Sequence, residues 1–118
     1  KKTNSLNDIV GIIHHFNQID QGIYDTEMDQ KIIKELVDTY DNSVVAVSKM
    51  VHFLCPSYFP IIDSKVIESW NKLFPEYKLP KKIDIERYMV YAKYMRDWSL
   101  KTQIPLRDLE KALFEYSM

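Results

Sequence analysis

Glycine is almost missing from this chain: Gly11 and Gly22 are the only two in 118 residues. Loops of the GxxxxGK[ST] or GxGxxG kind need glycines where the backbone turns tightly against a phosphate, so neither can be built here. Glycine scarcity also disfavours an all-β fold, which needs turn residues at intervals of about eight to twelve positions. The single cysteine, Cys55, excludes an intrachain disulfide, a CxxC redox pair, a cysteine-based zinc site and an iron–sulfur cluster. No apolar run approaches the ~18 residues of a membrane span and no signal-peptide pattern opens the chain, so no membrane association and a reducing, cytoplasmic setting are expected. The first residue is Lys1 rather than Met, which leaves room for further N-terminal residues of a longer protein.

Charge of one sign is lacking as well. Sixteen basic side chains face seventeen acidic ones, for a net charge of -1, so the strong basic footprint of a dedicated nucleic-acid binder is missing. The balance is uneven along the chain: residues 1–64 carry 5 basic and 9 acidic side chains, residues 65–118 carry 11 and 8. Any polyanion is expected to meet the second half.

What is present is apolar spacing of helical period, 46% apolar residues, and enough chain to bury a core without staples. Six helices are expected in one domain, 1–118, forming an all-α orthogonal bundle. The first runs from Leu6 to Gln18, capped by Ser5, with Leu6, Ile9, Val10, Ile13 and Phe16 as its apolar stripe. Thr26 caps the second, which carries Ile32, Ile33, Leu36 and Val37. The third follows a cap at Asp41, Asn42 or Ser43 and stops at Leu54, because Pro56 disfavours helix at Cys55. Val44, Val45, Ala46, Val47, Met50, Val51, Phe53 and Leu54 make it apolar nearly all round, as a central helix would be. Asp63 caps a fourth helix ending near Phe74, a fifth spans Asp84 to Leu100, and Pro105 opens a sixth with Leu106, Leu109, Leu113 and Tyr116.

Polar residues on so apolar a third helix stand out. Ser48 and His52 are four apart and Lys49 and His52 three apart, so they share a face. If the following loop folds back, Asp63 joins them. A lysine partly desolvated on such a helix is a candidate nucleophile or base, and a carboxylate at a helix N-terminus is favoured as the anion, suited to opposing a developing cation. Plainer roles fit the same residues: Asp63 as an N-cap, Lys49 as a stem covering apolar surface, His52 as a hydrogen-bonded boundary residue and Cys55 as a small buried hydrophobe.

Ser48-Lys49, His52-Phe53 and then Tyr58-Phe59-Pro60-Ile61-Ile62-Asp63-Ser64-Lys65-Val66 resemble the second half of the helix-hairpin-helix DNA glycosylase superfamily. The pattern, with Leu106 to Phe114, is also similar to that of short bacterial oxoguanine-glycosylase-like proteins. The resemblance covers about 20 residues, Ser48 to Val66, and implies a DNA-glycosylase-like bundle that cleaves an N-glycosidic bond. It assigns Asp63 as the catalytic carboxylate and Lys49 as the lysine that attacks the sugar carbon, with Ser48 and His52 in support. The family's hairpin glycines are absent from residues 41–47, and the Lys49 to Asp63 interval is about four residues shorter than in the family.

On the fifth helix Tyr88, Tyr91, Ala92 and Met95 read as a core stripe, whereas Arg87, Tyr94 and Lys101 follow another face at steps of seven, as candidate nucleic-acid contacts. No metal or cofactor is expected. DNA, a second copy of the chain or another protein are the candidate partners. The competing expectation is a non-catalytic helical interaction or regulatory module that keeps the fold without the DNA hairpin. A Ser48–His52–Asp63 hydrolase is disfavoured, because no glycine-rich oxyanion elbow accompanies it.

Overall fold

The computed structural model describes residues 6–40 and 43–116, and every expected helix is there. They are α1 (Leu6–Asp20), α2 (Thr26–Tyr40), α3 (Val44–Leu54), α4 (Ser64–Leu73), α5 (Ile85–Thr102) and α6 (Leu106–Tyr116), with a 3₁₀ turn at Pro75–Tyr77. No strand occurs among the described residues, and the valine run of α3 is helical. The architecture is an all-α bundle in which α2 packs on α3 and α5, and α6 packs on α4 and α5.

Local chemistry sets the boundaries. α1 runs two residues past the expected Gln18 and closes in a Schellman turn: Gly22 takes φ 81°, its N–H reaches Ile19 O at 2.9 Å, and Ile23 N–H reaches Gln18 O at 2.9 Å. α2 is capped by Asp25, not Thr26, because the Asp25 carboxylate accepts the Met28 N–H at 3.1 Å. Ser43 caps α3 by accepting from Ala46 N–H at 3.1 Å, while the other expected caps, Ser5, Asp41 and Asn42, lie outside the described residues. Asp84 caps α5 through Arg87 N–H at 2.8 Å.

The core joins α3, α5 and the segment between α3 and α4: Val47, Val51, Ile62, Tyr88, Tyr91 and Met95 are fully buried. Trp70 of α4 packs against Phe74, Tyr91 and Trp98, with ring centroids 5.2, 5.3 and 5.5 Å away. Its indole N–H donates to Tyr77 O at 2.8 Å, and Asn71 holds Leu79 through both backbone groups, so the proline-bounded connector is pinned to α4.

Two expectations about packing need correcting. In α1 the buried face is His15, Phe16 and Ile19 with Ile12, while Val10 and Ile13 are more than half exposed; the side chains of Leu6 and Ile9 lie outside those described. His15 explains the rotation, since its bond to buried Asp29 turns a polar residue inward. α3 is not enclosed either: it buries Val44, Val47, Ser48 and Val51 but leaves Met50, Leu54 and, at 85% exposure, Phe53 on the surface.

Candidate functional site

Residues 58–62 lead into Asp63, and they are unusually constrained. Tyr58, Phe59, Pro60 and Ile62 are buried in a stretch with no regular backbone pairing, so its polar groups need other partners. Side chains supply them from three helices. Arg96 Nη1 donates to Tyr58 O at 2.8 Å, His52 Nδ1 to Phe59 O at 2.9 Å, Tyr88 Oη to Pro60 O at 2.8 Å and Tyr91 Oη to Ile61 O at 2.7 Å. Ile61 N–H donates to Glu110 Oε1 at 3.1 Å, and Ile62 N–H to Ser48 Oγ at 3.2 Å. Four carbonyls and two amides in succession are thereby held, and Asp63 sits at the end of a rigid track.

Ser48 is buried, and its hydroxyl donates to Val45 O at 2.7 Å. It is committed to backbone groups of α3 and of the loop. Ser48→Ala is expected to cost about 1–3 kcal/mol, since it strands the buried Ile62 N–H. Urea unfolding measures the loss, and faster hydrogen exchange at the Ile62 amide would localise it; unchanged exchange would contradict it.

The track delivers Asp63 to a cleft of about 630 Å³. Lys49, His52, Asp63 and Glu110 line it together, with the cations Arg107 and Lys111, the carboxylate Asp108 and the apolar Ile61, Val66, Pro105 and Phe114. Asp63 Oδ1 accepts the Val66 N–H at 2.9 Å, the capping bond of α4, and Oδ2 has no protein partner among the described residues. Lys49 is exposed, so the desolvation expected for it on α3 is absent. Among the described residues no ion pair within 4.0 Å joins Lys49 to Asp63. His52 donates from Nδ1 to a carbonyl, which fixes the proton on that nitrogen, and the same Nδ1 lies 3.5 Å from Glu110 Oε1.

Glu110 was not singled out among the site residues from the sequence. It lies on the α6 face that also carries Leu106 and Leu113, and a carboxyl at a core-facing position of a helix is the signal that marks it. Burial pushes its carboxyl up to about 7 from an ordinary value of 4.5, against the opposing pull of the Ile61 N–H and Arg107. Folding therefore tightens its hold on a proton. Its contribution to stability is complete below about pH 4.5 and is lost as pH rises through about 7. Wild type is expected to lose roughly 3 kcal/mol relative to Glu110→Gln between about pH 4.5 and about pH 8, read by urea unfolding at intervals of pH. Parallel pH profiles for the two proteins would refute this.

Arg87, Tyr94 and Lys101 do not line this cleft. Arg87 and Tyr94 border a separate hollow of about 340 Å³ beside Trp70 and Tyr77, and Arg87 pairs with Asp84 at 2.8 Å. Another hollow, of about 640 Å³ at the start of α3, holds Lys81 and Lys82 but no carboxylate or imidazole. The cysteine is buried, and burial, with Asp20 and Asp29 near, raises its thiol to about 11, far from a reactive thiolate. No group of three or more histidine, cysteine or acidic side chains fit to hold a metal ion occurs among the described residues, and no helix among them is long and apolar enough to cross a membrane. Comparison with protein-family models, with curated proteins and with solved structures finds no match for this chain.

Proposed function

We propose that the protein cleaves N-glycosidic bonds in the manner of a DNA base-excision glycosylase, with the cleft between α3, α4 and α6 as its active site. The observation that carries this is the lining of one cleft by Lys49, His52 and Asp63, three residues picked out by the glycosylase-like segment. A cavity of about 630 Å³ is in the range of small-molecule sites and suits an extruded or unpaired nucleotide. Apolar Ile61, Val66 and Phe114 offer surface to a base, and Lys49, Arg107 and Lys111 offer charge to phosphate.

Departure of the base leaves an oxocarbenium-like sugar. Asp63, a carboxylate with one oxygen uncommitted, opposes that positive charge and orients a water toward it. Lys49 serves as the nucleophile at the sugar carbon if the intermediate is covalent. Arg107 and Lys111 take the role of phosphate contacts better than Arg87, Tyr94 and Lys101, because only the former pair borders the cleft. The test is base release from a panel of single-stranded and duplex oligonucleotides carrying damaged or mismatched bases. If wild type and Asp63→Asn are equally inert across the panel, the proposal fails.

One observation favours the second reading, a helical interaction module that pairs with a second copy of the chain. Met50, Phe53 and Leu54 leave an apolar surface on α3, and exposed methionine and aromatic side chains are enriched at interfaces. Light scattering across a range of concentrations decides it. A monomer throughout, unaffected by Phe53→Ser, removes this reading.

A further inference from the structure

We infer that Glu110 is the proton donor to the departing base, and that the substrates are N-glycosides whose base leaves neutral only after protonation. The inference rests on the glycosidic reading of the cleft and adds to it a residue and a substrate class. Three observations carry it. Glu110 is 8% exposed yet lines the cleft, so its carboxyl combines a dry setting with access to a ligand. Its Oε1 is fixed by the Ile61 N–H, the same strand of backbone that delivers Asp63 to the cleft two residues later. The two carboxyl groups reach the cleft from different elements: Asp63 from the N-terminus of α4, where its Oδ1 accepts the Val66 N–H, and Glu110 from the interior of α6.

The groups facing Glu110 agree with this. From α3 come His52, whose Nδ1 proton is already given to Phe59 O, and exposed Lys49; from α5 come the buried hydroxyls of Tyr88 and Tyr91, each donated to a loop carbonyl. On its own helix stand Arg107, Asp108 and Lys111 at the cleft. None makes an ion pair within 4.0 Å with Glu110 among the described residues except the 3.5 Å approach of His52. Burial therefore dominates, and it holds the carboxyl up to about 7, where it is both populated as the acid and ready to give its proton near neutrality.

In the step, the C1′–N bond breaks with its electron pair going to the base. The Glu110 proton bonds to a base nitrogen, so the base leaves neutral and Glu110 is left a carboxylate. Water adds to C1′, its surplus proton passes to Asp63 and on to solvent, and a solvent proton restores Glu110. One water is consumed and free base and a sugar hydroxyl are produced.

The experiment compares wild type, Glu110→Gln and Asp63→Asn on two oligonucleotide substrates: one with a neutral purine, one with an N7-methylated purine whose cationic base leaves without protonation. Glu110→Gln, which keeps a carbonyl for the Ile61 N–H, should slow release of the neutral purine by about 10²–10⁴-fold and that of the methylated purine by only a few-fold. Asp63→Asn should slow both. Wild type alone gives an independent reading that needs no variant: release of the neutral purine should fall as pH rises through about 7, and release of the methylated purine should not. Glu110→Gln acting like wild type on the neutral purine, with Asp63→Asn dead, overturns the assignment of Glu110 and leaves the glycosidic reading standing. Equal loss on both substrates by Glu110→Gln also overturns it, as a structural role. Inert wild type on both substrates and on the wider panel sinks the glycosidic reading, and the Glu110 assignment with it.

Discussion

Asp29→Ala should remove about 3–5 kcal/mol of stability, a large fraction of the 5–15 kcal/mol that holds a typical domain together. Asp29 is fully buried at the start of α2, and its carboxylate is shared: Oδ1 meets His15 Nε2 of α1 at 2.6 Å, and Oδ2 accepts the hydroxyl of Tyr58. Alanine leaves an imidazole and a phenol buried without their acceptor. The effect also reaches the site. Tyr58 begins the bracketed segment, stacks on Tyr24 at 5.1 Å between centroids, and carries Arg96 over its ring at 4.1 Å while the same guanidinium holds its carbonyl. Asp29→Asn should fall between wild type and alanine, since its amide oxygen serves one donor and its NH₂ group opposes the other. Urea unfolding with comparison of midpoints and slopes measures both variants, and a loss below about 1 kcal/mol for alanine would mean the network relaxes around the gap.

Asp63→Asn is the second change with a large expected effect, this time on rate. Asparagine caps a helix about as well as aspartate, so the bond to Val66 N–H survives and the unfolding midpoint should move little. What disappears is the negative charge that the proposed glycosidic step sets against the sugar. Base release should fall by about 10²–10³-fold or more, the scale of losing one preorganised electrostatic group. Asp63→Ala removes cap and charge together and should add a stability loss of about 1 kcal/mol to the same rate defect. The pair of variants separates the cap from the catalytic role proposed for the same carboxylate. Equal turnover by wild type and Asp63→Asn, on a substrate wild type does release, would reduce Asp63 to a cap.

The cleft was half legible. Lys49, His52 and Asp63 announce themselves because polar groups beside an apolar helix and a proline-rich loop are out of pattern, and all three do line the cleft. Ser48 looked like their companion through the same spacing, yet spacing on a helix gives direction around the axis and not depth. Its hydroxyl is spent on Val45 O and Ile62 N–H inside the protein. Glu110 shares a helix face with Leu106 and Leu113, and only the meeting of α6 with the loop brings that odd carboxyl to the cleft.

By itself, then, the sequence determined the helices and most of their ends, because those depend on neighbours a few residues away: Ser43, Asp63 and Asp84 at N-caps, Gly22 in its turn, proline after Cys55. Tertiary structure alone decided which polar side chains are scaffold and which meet the cleft. The carbonyls of residues 58–61 take their donors from Arg96, His52, Tyr88 and Tyr91, and the amides of Ile61 and Ile62 find Glu110 and Ser48. Those partners are between seven and forty-nine positions away, and nothing local links them. The physical reason is that a buried loop must satisfy its backbone from whatever helices enclose it, and that demand exists only once the bundle has closed.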